Sequence, residues 1–550
     1  MSWKKGLLAV AAIMLVLGVV VAFNYKAIIL YLATNTGQKI EVAANRPVPW
    51  QAGPQTSITP LTDRPPNIVM IVIDDMGINN VSTFGAGLAP TPNIDALAAR
   101  GAVLTRGYAG SAVCSPSRAM IMTGRYPTRH GFDTTPTPNG MTRIMQLFFN
   151  DGSRPYPLLT RDADDAGPDV DFAEKGLPGS EVTIAEVLKP RGYHTVHIGK
   201  WHIGEKGASS PNAQGFDESL TLASGLYLPE DDPQVVNAKL DFDPIDQFLW
   251  ARMQYAASFN GGAPFAPDGY LTDYYTDQAR AVIRANRNRP FFLYMAHWGI
   301  HTPMQASKAD YDALGDIENP RERVLGAMIR SVDRSVGQIM QELRDQGLAE
   351  NTLVIFTSDN GAPGYLGLPN VNRPYRGWKL TFFEGGLRVP MFISWPGRIA
   401  PGTIFETPAS HIDLLPTIAG AASAPLPTNR PIDGVDLLPW LKGLTREGLR
   451  RPIFWQNGYY KAVLHDGWKL QTSTRPQKDW LYNLNSDPTE QRNLAAARPD
   501  KVAELKALIA RHEVGARPSL YPYTREMPVM IDKTLEQPAN KTDEYIYWPG

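Results

Sequence analysis

Four short apolar runs in this sequence each end in residues that carry chemistry. Asp74 and Asp75 follow "NIVMIVI", Lys200 and His202 follow "YHTVHIG", His297 and His301 follow "PFFLYMA", and Asp359 and Asn360 follow "TLVIFTS". Asp74, Asp75, Asp359 and Asn360 bring only hard oxygen donors, a set that suits Ca2+ or Mg2+ and not zinc. One acidic pair after a strand is an ordinary turn or helix cap. A second, remote pair in the same setting reads as the other half of one metal site. Cys114 is the only cysteine in 550 residues, so it forms no intramolecular disulfide. In "CSPSRAMIMTG" Ser and Pro stand where a helix begins and Gly where one ends, which places Cys114 at or just before a helix N-terminus. Backbone N–H groups and the helix dipole favour an anion there. Arg118, four residues on, faces the same side with a fixed positive charge. Most free cysteines are small buried hydrophobes, but this one lies in a polar, turn-like stretch. Metal, dipole, Arg118 and Lys200 together make a pocket for a tetrahedral oxyanion.

The elements that deliver these groups are legible as well. The four runs are short and continuously apolar, the pattern of strands buried on both faces. Helical patterns separate them, such as "TPNIDALAARG" and the stripe of Val324, Met328, Val332, Val336 and Ile339/Met340. Strands alternating with helices imply an α/β sandwich with a large, mostly parallel central sheet. Ligands of such sheets bind beyond the carboxyl ends of the strands, so all four ends serve one edge. From about residue 450 the pattern changes to antiparallel strands with tight turns and one charged amphipathic helix, a smaller C-terminal α+β subdomain.

The expected division is 1–34, a membrane segment; 35–64, a Pro-rich linker; 65–445, the catalytic domain; 446–515, the C-terminal subdomain; and 516–550, a Pro/Tyr-rich tail. The tail is read either as wrapping the surface or as reaching a neighbouring subunit in a homo-oligomer. After "MSWKK" come 18 uncharged residues, 6–23, near the lower limit for spanning a bilayer. No small-residue cleavage site stands near residue 23, so a signal anchor is expected. Lys4 and Lys5 would stay cytoplasmic and the catalytic domain would lie outside, in the periplasm of a bacterial host. A net charge of -1 with 20% charged residues gives no basic excess for nucleic acid.

"CSPSR" fits the Cys-x-Pro-x-Arg signature of type I sulfatases and continues into "TGR". The chain resembles that family through "IVIDDMG", "GYHTVHIGKWHIG", "RPFFLYMAHWGIHTPMQ", "FTSDNG", "YRGWKLTFFEGGLRVPMFISWPG", "HIDLLPTI" and "LYNLNSDPTEQRNL", in the family's order over residues 67–494. The resemblance implies an alkaline-phosphatase-like fold and an arylsulfatase-type sulfuric ester hydrolase. It implies that a maturation enzyme oxidises Cys114 to Cα-formylglycine. Asp74, Asp75, Asp359 and Asn360 would hold one divalent cation, Ca2+ before Mg2+, with one oxygen of modified Cys114 on the same ion. Arg118 and Lys200 would orient the hydrated aldehyde and stabilise negative charge, and His202 would contact its second hydroxyl. His301 and Lys379 would bind the sulfate and assist the leaving group; His297 precedes the matching position and is read as structural. One hydroxyl of the gem-diol attacks sulfur in line, and deprotonation of the other expels sulfate and restores the aldehyde. A plain Cys or Ser lacks that second hydroxyl.

Two other readings compete. Formylglycine-dependent phosphonate monoesterases and phosphodiesterases share the Cys motif, but "SDNG" and "GKWH" favour sulfate. A membrane-tethered binder of sulfated glycans would leave Cys114 a thiol. Substrate choice falls to the insertions near 132–178 and 225–270, the first acidic at "DADDAGPDVD", the second bearing Phe248, Trp250, Tyr255 and Phe259.

Overall fold

The run Asn67–Ile73 forms a strand, β1, in which every residue is buried. Alternation splits its side chains between two cores: Val69, Ile71 and Ile73 face one, Ile68, Met70 and Val72 the other. A strand that must be apolar on both faces sits at the centre of a sheet covered on both sides. In the computed structural model, which describes residues 2–550 except 36–38, 58, 61–62, 86, 138–140, 151, 153 and 162–169, that is its place. At several positions in the first helix and at 144 the backbone alone is described. Residues 162–169 of the acidic insertion thus lie outside the described residues.

β1 is joined by β2 (Ala102–Leu104), β3 (His194–Gly199), β4 (Glu218–Gly225), β5 (Tyr255–Phe259), β6 (Phe291–His297), β7 (Thr352–Ser358), β8 (Met391–Ser394) and β9 (Thr403–Phe405). The nine strands lie in the order β9-β2-β8-β7-β1-β6-β3-β4-β5. Neighbours from β7 through β4 are parallel, and only β5 and β8 run against the rest. Register does the positioning. Ile73 is level with Ser358 on one side and His297 on the other, and Gly199 is level with Ala296. The residues after these four strands therefore leave the sheet side by side.

One face carries α2 (Pro92–Ala99), α4 (Leu271–Ala285) and α5 (Pro320–Asp345); the other carries α3 (Cys114–Thr123) and α6 (Leu414–Ala421). The stripe of α5 is buried as its period requires, and the helix opens where Asn319 accepts the N–H groups of Arg321 and Glu322, with Pro320 in the first turn. Each fully buried Val, Leu or Ile contributes about 1.5–3 kcal/mol, so the two cores dominate the stability of this sandwich.

The four strands Ile453–Asn457, Tyr460–His465, Trp468–Thr474 and Gln477–Asn483 form an antiparallel meander, numbered β10 to β13. Helix α7 (Pro499–Glu513) covers it through Leu505 and Ile509. The tail returns to its own chain. Strands β14 (Arg525–Met530) and β15 (Tyr545–Pro549) pair with each other, and β14 pairs with residues Leu159–Thr160. Ile546 and Trp548 join a core shared with Phe382, Phe383 and Tyr460. The Pro-rich segment before β1 is docked too: Ala43 bonds to Pro264 and Ala266, and Gln51 N–H to Glu218. Helix α1 (Ser2–Asn35) contains the uncharged segment 6–23. Among the described residues no helix is long and apolar enough to cross a membrane, so the expected anchor finds no support there.

Candidate active site

The sheet register gathers the residues expected from sequence at one edge. Asp74 and Asp75 leave β1, Asp359 and Asn360 leave β7, and Lys200 and His202 leave β3. The backbone is pulled tight here: Asp359 N–H bonds back to Ile73 O at 3.0 Å, and Asp75 N–H to Asp359 Oδ1 at 3.2 Å. Of eight non-glycine residues with left-handed φ among those described, four are or adjoin expected site residues: Asp75, His202, Ile300 beside His301, and Leu380 beside Lys379. Such conformations persist only where the surroundings over-determine them.

Helix α3 brings the other half. Cys114 is its first residue, no side chain caps its N-terminus, and all ten of its residues are buried. Gly124 ends it in the left-handed conformation (φ 65°), donating to Met120 O. One turn in, Arg118 is fully buried and uses each guanidinium nitrogen. Nε donates to Asp359 Oδ2 at 2.8 Å, Nη1 to Lys200 O at 2.7 Å and Nη2 to Asp74 Oδ2 at 3.3 Å. One side chain thus ties together the ends of β1, β3 and β7.

Around the thiol the charges alternate. Cys114 Sγ lies 3.5 Å from Asp74 Oδ1 and 3.1 Å from Lys379 Nζ. Lys379 also bonds Asp75 at 2.7 Å and 3.0 Å, and Lys200 Nζ sits 2.5 Å from Asp74 Oδ2 and over the Trp298 ring. His301 Nε2 is 3.6 Å from Asp75 Oδ2, and its ring stacks on Trp298. His202 is half-buried, and its Nδ1 is a buried atom with no hydrogen-bond partner among the described residues. His297 turns away from the cluster to Ser335 Oγ on α5, at 2.8 Å, and serves packing.

These contacts set the protonation states. Burial opposes charge on Asp74, yet Lys200, His301 and Arg118 overcome it and hold the carboxyl far below its ordinary range. Burial and the Asp74 charge push Asp359 up to about 6. Burial, reinforced by Asp359 and Asp74, pushes the Cys114 thiol far up. A thiol held neutral is a poor nucleophile, so Cys114 as encoded does not suit attack at sulfur. Burial holds His301 down to about 4 and His202 well below its ordinary value, so both imidazoles are neutral at pH 7. Lys379 stays protonated, because Asp75 outweighs the burial that opposes its charge.

Asp74 and Asp75 supply hard oxygen donors, and their ligand atoms lie with those of Cys114 and His301 within 4.8 Å of one another, a group that does not include Asp359, whose Oδ2 is held by Arg118. Asn360 donates to Asp75 Oδ1 at 2.7 Å, while its own Oδ1 is a buried acceptor without a partner. A buried orphan oxygen beside crowded carboxylates is costly unless a cation or donor meets it. Adding Ca2+ to metal-stripped protein is expected to raise its unfolding temperature, by about 2.7 kcal/mol of stability at a hundredfold excess over Kd. Asn360→Leu should weaken that gain at least tenfold in Ca2+ concentration. Identical melting curves with and without Ca2+ and Mg2+ count against the site.

Two residues of this edge escaped sequence reasoning. Tyr365 donates to Asp75 Oδ2 at 3.0 Å and stands 3.5 Å from Lys379 Nζ. His411 accepts Gly110 N–H at 3.1 Å and lies 3.0 Å from Ser117 Oγ, which in turn donates to Asp359 O at 2.6 Å. Tyr365 carries no spacing signal. His411 opens the quoted segment "HIDLLPTI" and was passed over because no apolar strand run precedes it.

A family model described as "Sulfatase" matches residues 66–424, and one described as "N-sulphoglucosamine sulphohydrolase, C-terminal" matches 377–513. The N-acetylgalactosamine-6-sulfatase of Mus musculus is 35% identical over 403 residues, 72% of this chain and 69% of that protein. Arylsulfatase A of Homo sapiens is 34% identical over 495 residues, 81% of this chain and 87% of that one. Among solved structures, Ps i-CgsB in complex with k-i-k-neocarrahexaose superposes with a TM-score of 0.68 at 27% identity, covering 83% of this chain and 95% of that one.

Proposed function

The chain belongs to the sulfatase family and is a sulfuric ester hydrolase; from that premise we propose that Cys114, converted by a maturation enzyme to Cα-formylglycine, supplies the nucleophile of a one-cation, arylsulfatase-type enzyme. The observation that carries this is the setting of Cys114: first in α3, against Asp74 and Lys379, with its thiol held neutral. An oxygen nucleophile at this carbon answers the electrostatics that a thiol does not. Asp74, Asp75, Asp359 and Asn360 would hold the cation, Ca2+ before Mg2+. When bound, it would acidify an oxygen nucleophile and offset charge on the sulfuryl group.

The chain's own residues divide the remaining work. Arg118 and Lys200 fix the carboxylates and place two positive charges beside the reacting centre. Neutral His202 is ready to take a proton. Of the two groups read at the leaving-group side, Lys379 Nζ lies 3.1 Å from Cys114 Sγ and His301 Nε2 3.6 Å from Asp75 Oδ2, and the two together would bind the sulfate and assist the leaving group.

The test compares kcat/KM for an aryl sulfate, a sulfated sugar and a matched aryl phosphodiester. The aryl sulfate is expected to lead the diester by about a hundredfold or more. A diester lead above about tenfold moves the chain to the phosphonate monoesterase and phosphodiesterase reading. The sugar arm is included because the 27%-identical structure holds a neocarrahexaose. We also propose that residues 6–23 anchor the enzyme with its site outside the cytoplasm, since Leu7, Val10, Ile13 and Leu15 stand exposed on α1. Full-length protein should sediment with membranes and a form lacking residues 1–34 should not; equal partition sinks the anchor.

A further inference from the structure

The C-terminal meander buries a charge cluster that lies away from Cys114. Lys469 on β12 has no exposure, and its Nζ stands 2.8 Å from Glu384 Oε1 and 3.0 Å from Glu490 Oε1. Glu384 also accepts from Arg388 at 3.1 Å and from Tyr108 at 3.0 Å. Glu490 accepts the backbone N–H of Glu384 at 2.6 Å, and holds a left-handed backbone (φ 58°) without being glycine. Burial opposes both carboxylates; Lys469 and Arg388 still hold Glu384 below its ordinary range, while burial pushes Glu490 up to about 7. Buried ion clusters of this kind rarely out-stabilise well-packed apolar residues. Their contribution is geometric, and here the geometry leads to the active site.

Glu384 ends the loop that carries Lys379. The loop closes on itself where Gly385 N–H bonds to Arg376 O at 2.7 Å. Its backbone strands touch directly: a Cβ on Gly385 would collide with the Gly377 carbonyl, and one on Gly386 with those of Thr381 and Trp378. Phe382 N–H bonds to Tyr460 OH of the meander at 3.0 Å. On the far side Lys379 N–H is fixed to Ala362 O at 3.1 Å, and Leu380 N–H to Ala112 O at 2.9 Å, two residues before Cys114. Backbone in contact with backbone passes a shift of Glu384 to Trp378 and Lys379 with little loss.

We propose that Lys469 is a positioning residue for the sulfatase reaction: by gripping Glu384 it sets the Arg376–Arg388 loop and so holds the Lys379 ammonium against residue 114. The proposal rests on the reading of Lys379, 3.1 Å from Cys114 Sγ, as a group of the reacting centre. It gives the C-terminal meander a part in catalysis without any contact with substrate.

The test is a double-mutant cycle with an aryl sulfate, joined to a crystal structure. Lys469→Met is expected to lower kcat about 10–100-fold with KM changed less than about threefold. In a Lys379→Met background the same change should cost less than about twofold, because the residue it positions is gone. Independent multiplication of the two losses, or unchanged kcat in Lys469→Met, overturns the proposal. Glu384→Gln, which keeps shape and backbone bonds, is the second variant should Lys469→Met not fold. Its loss of about 3–10-fold should vanish in the same background. In the crystal structure of whichever variant folds, Lys379 Nζ should lie at least about 1 Å from its parent position, the scale at which misplacement costs rate. An unmoved Lys379 overturns the positioning role. Full activity in Lys379→Met instead overturns the catalytic part given to Lys379, and the displacement still reads on Lys469.

Discussion

Replacing Cys114 with Ala abolishes sulfate release and leaves the fold standing. The side chain is 3% exposed, and deleting one buried sulfur costs about 1 kcal/mol, small beside the stability of a domain with two large cores. The rate loses its nucleophile, and losses of about 10⁴-fold or more are usual for that. Charge argues the same way: no ionised group is removed, because the thiol is neutral where it sits. Cys114→Ser sharpens the expectation. One hydroxyl can be sulfated once and has no second hydroxyl to expel the product, so a single stoichiometric burst should precede silence. Initial rates, melting curves and peptide mass spectra decide the matter. In active parent protein the Cys114 peptide should have lost one sulfur and two hydrogens and gained one oxygen. An Ala variant within about tenfold of the parent rate ends this reading, as does full activity with an intact thiol.

Arg118→Met is expected to remove both activity and stability. Arg118 is bonded to the ends of three strands, and its side chain is wholly buried. Without it, in the metal-stripped protein, Asp74 and Asp359 face each other in a buried site, with Lys200 left to balance Asp74 and no other ion pair to Asp359 among the described residues. Leaving a buried carboxylate unpaired costs about 3–5 kcal/mol. Protonation of Asp359, already displaced to about 6, is the cheapest relief. That sets a sign. The variant should regain stability as pH falls from 7 to 5, where Asp359 takes up its proton, whereas the parent gains less over that window. Activity should fall by about a thousandfold or more, since charge and carboxylate geometry are lost together. Arg118→Lys should rescue little, because one ammonium cannot reach three acceptors in a planar fork. A Met variant with the parent's melting point over that pH range would contradict the role assigned to Arg118.

The two acidic pairs, the Cys114 helix start and the α5 stripe were legible because each is a local pattern: a short apolar run with its terminal polar residues, a Pro beside a cap, a period of 3.6. Their convergence followed from one rule about the edge of parallel sheets. The details that order the edge were not legible. Tyr365 reaches Asp75 from a turn with no periodic signal, and His411 meets Ser117 across nearly 300 residues of chain, an |i−j| of 294. Lys469, between Trp468 and Leu470, carries no local signal of burial, yet is fully buried where it meets Glu384 of the Arg376–Arg388 loop. The tail's pairing with Leu159–Thr160 depends on a register that only the folded partner supplies. Local patterns point to the candidate site residues; the residues that hold them still are chosen by contacts between distant segments.

The depth of residue 114 sets a timetable for the cell. A side chain 3% exposed at the head of a fully buried helix is out of reach of another enzyme once the sheet has closed over it. On the maturation proposed above, oxidation of Cys114 would have to compete with folding, and each polypeptide would have one chance. Chains that folded first would be well packed but inert, and a later supply of the maturation enzyme would not recover them. The active fraction of a preparation is then a ratio of two rates, fixed during synthesis. Slowing the ribosome or the closure of the sheet should raise it, and adding a faster folding catalyst should lower it.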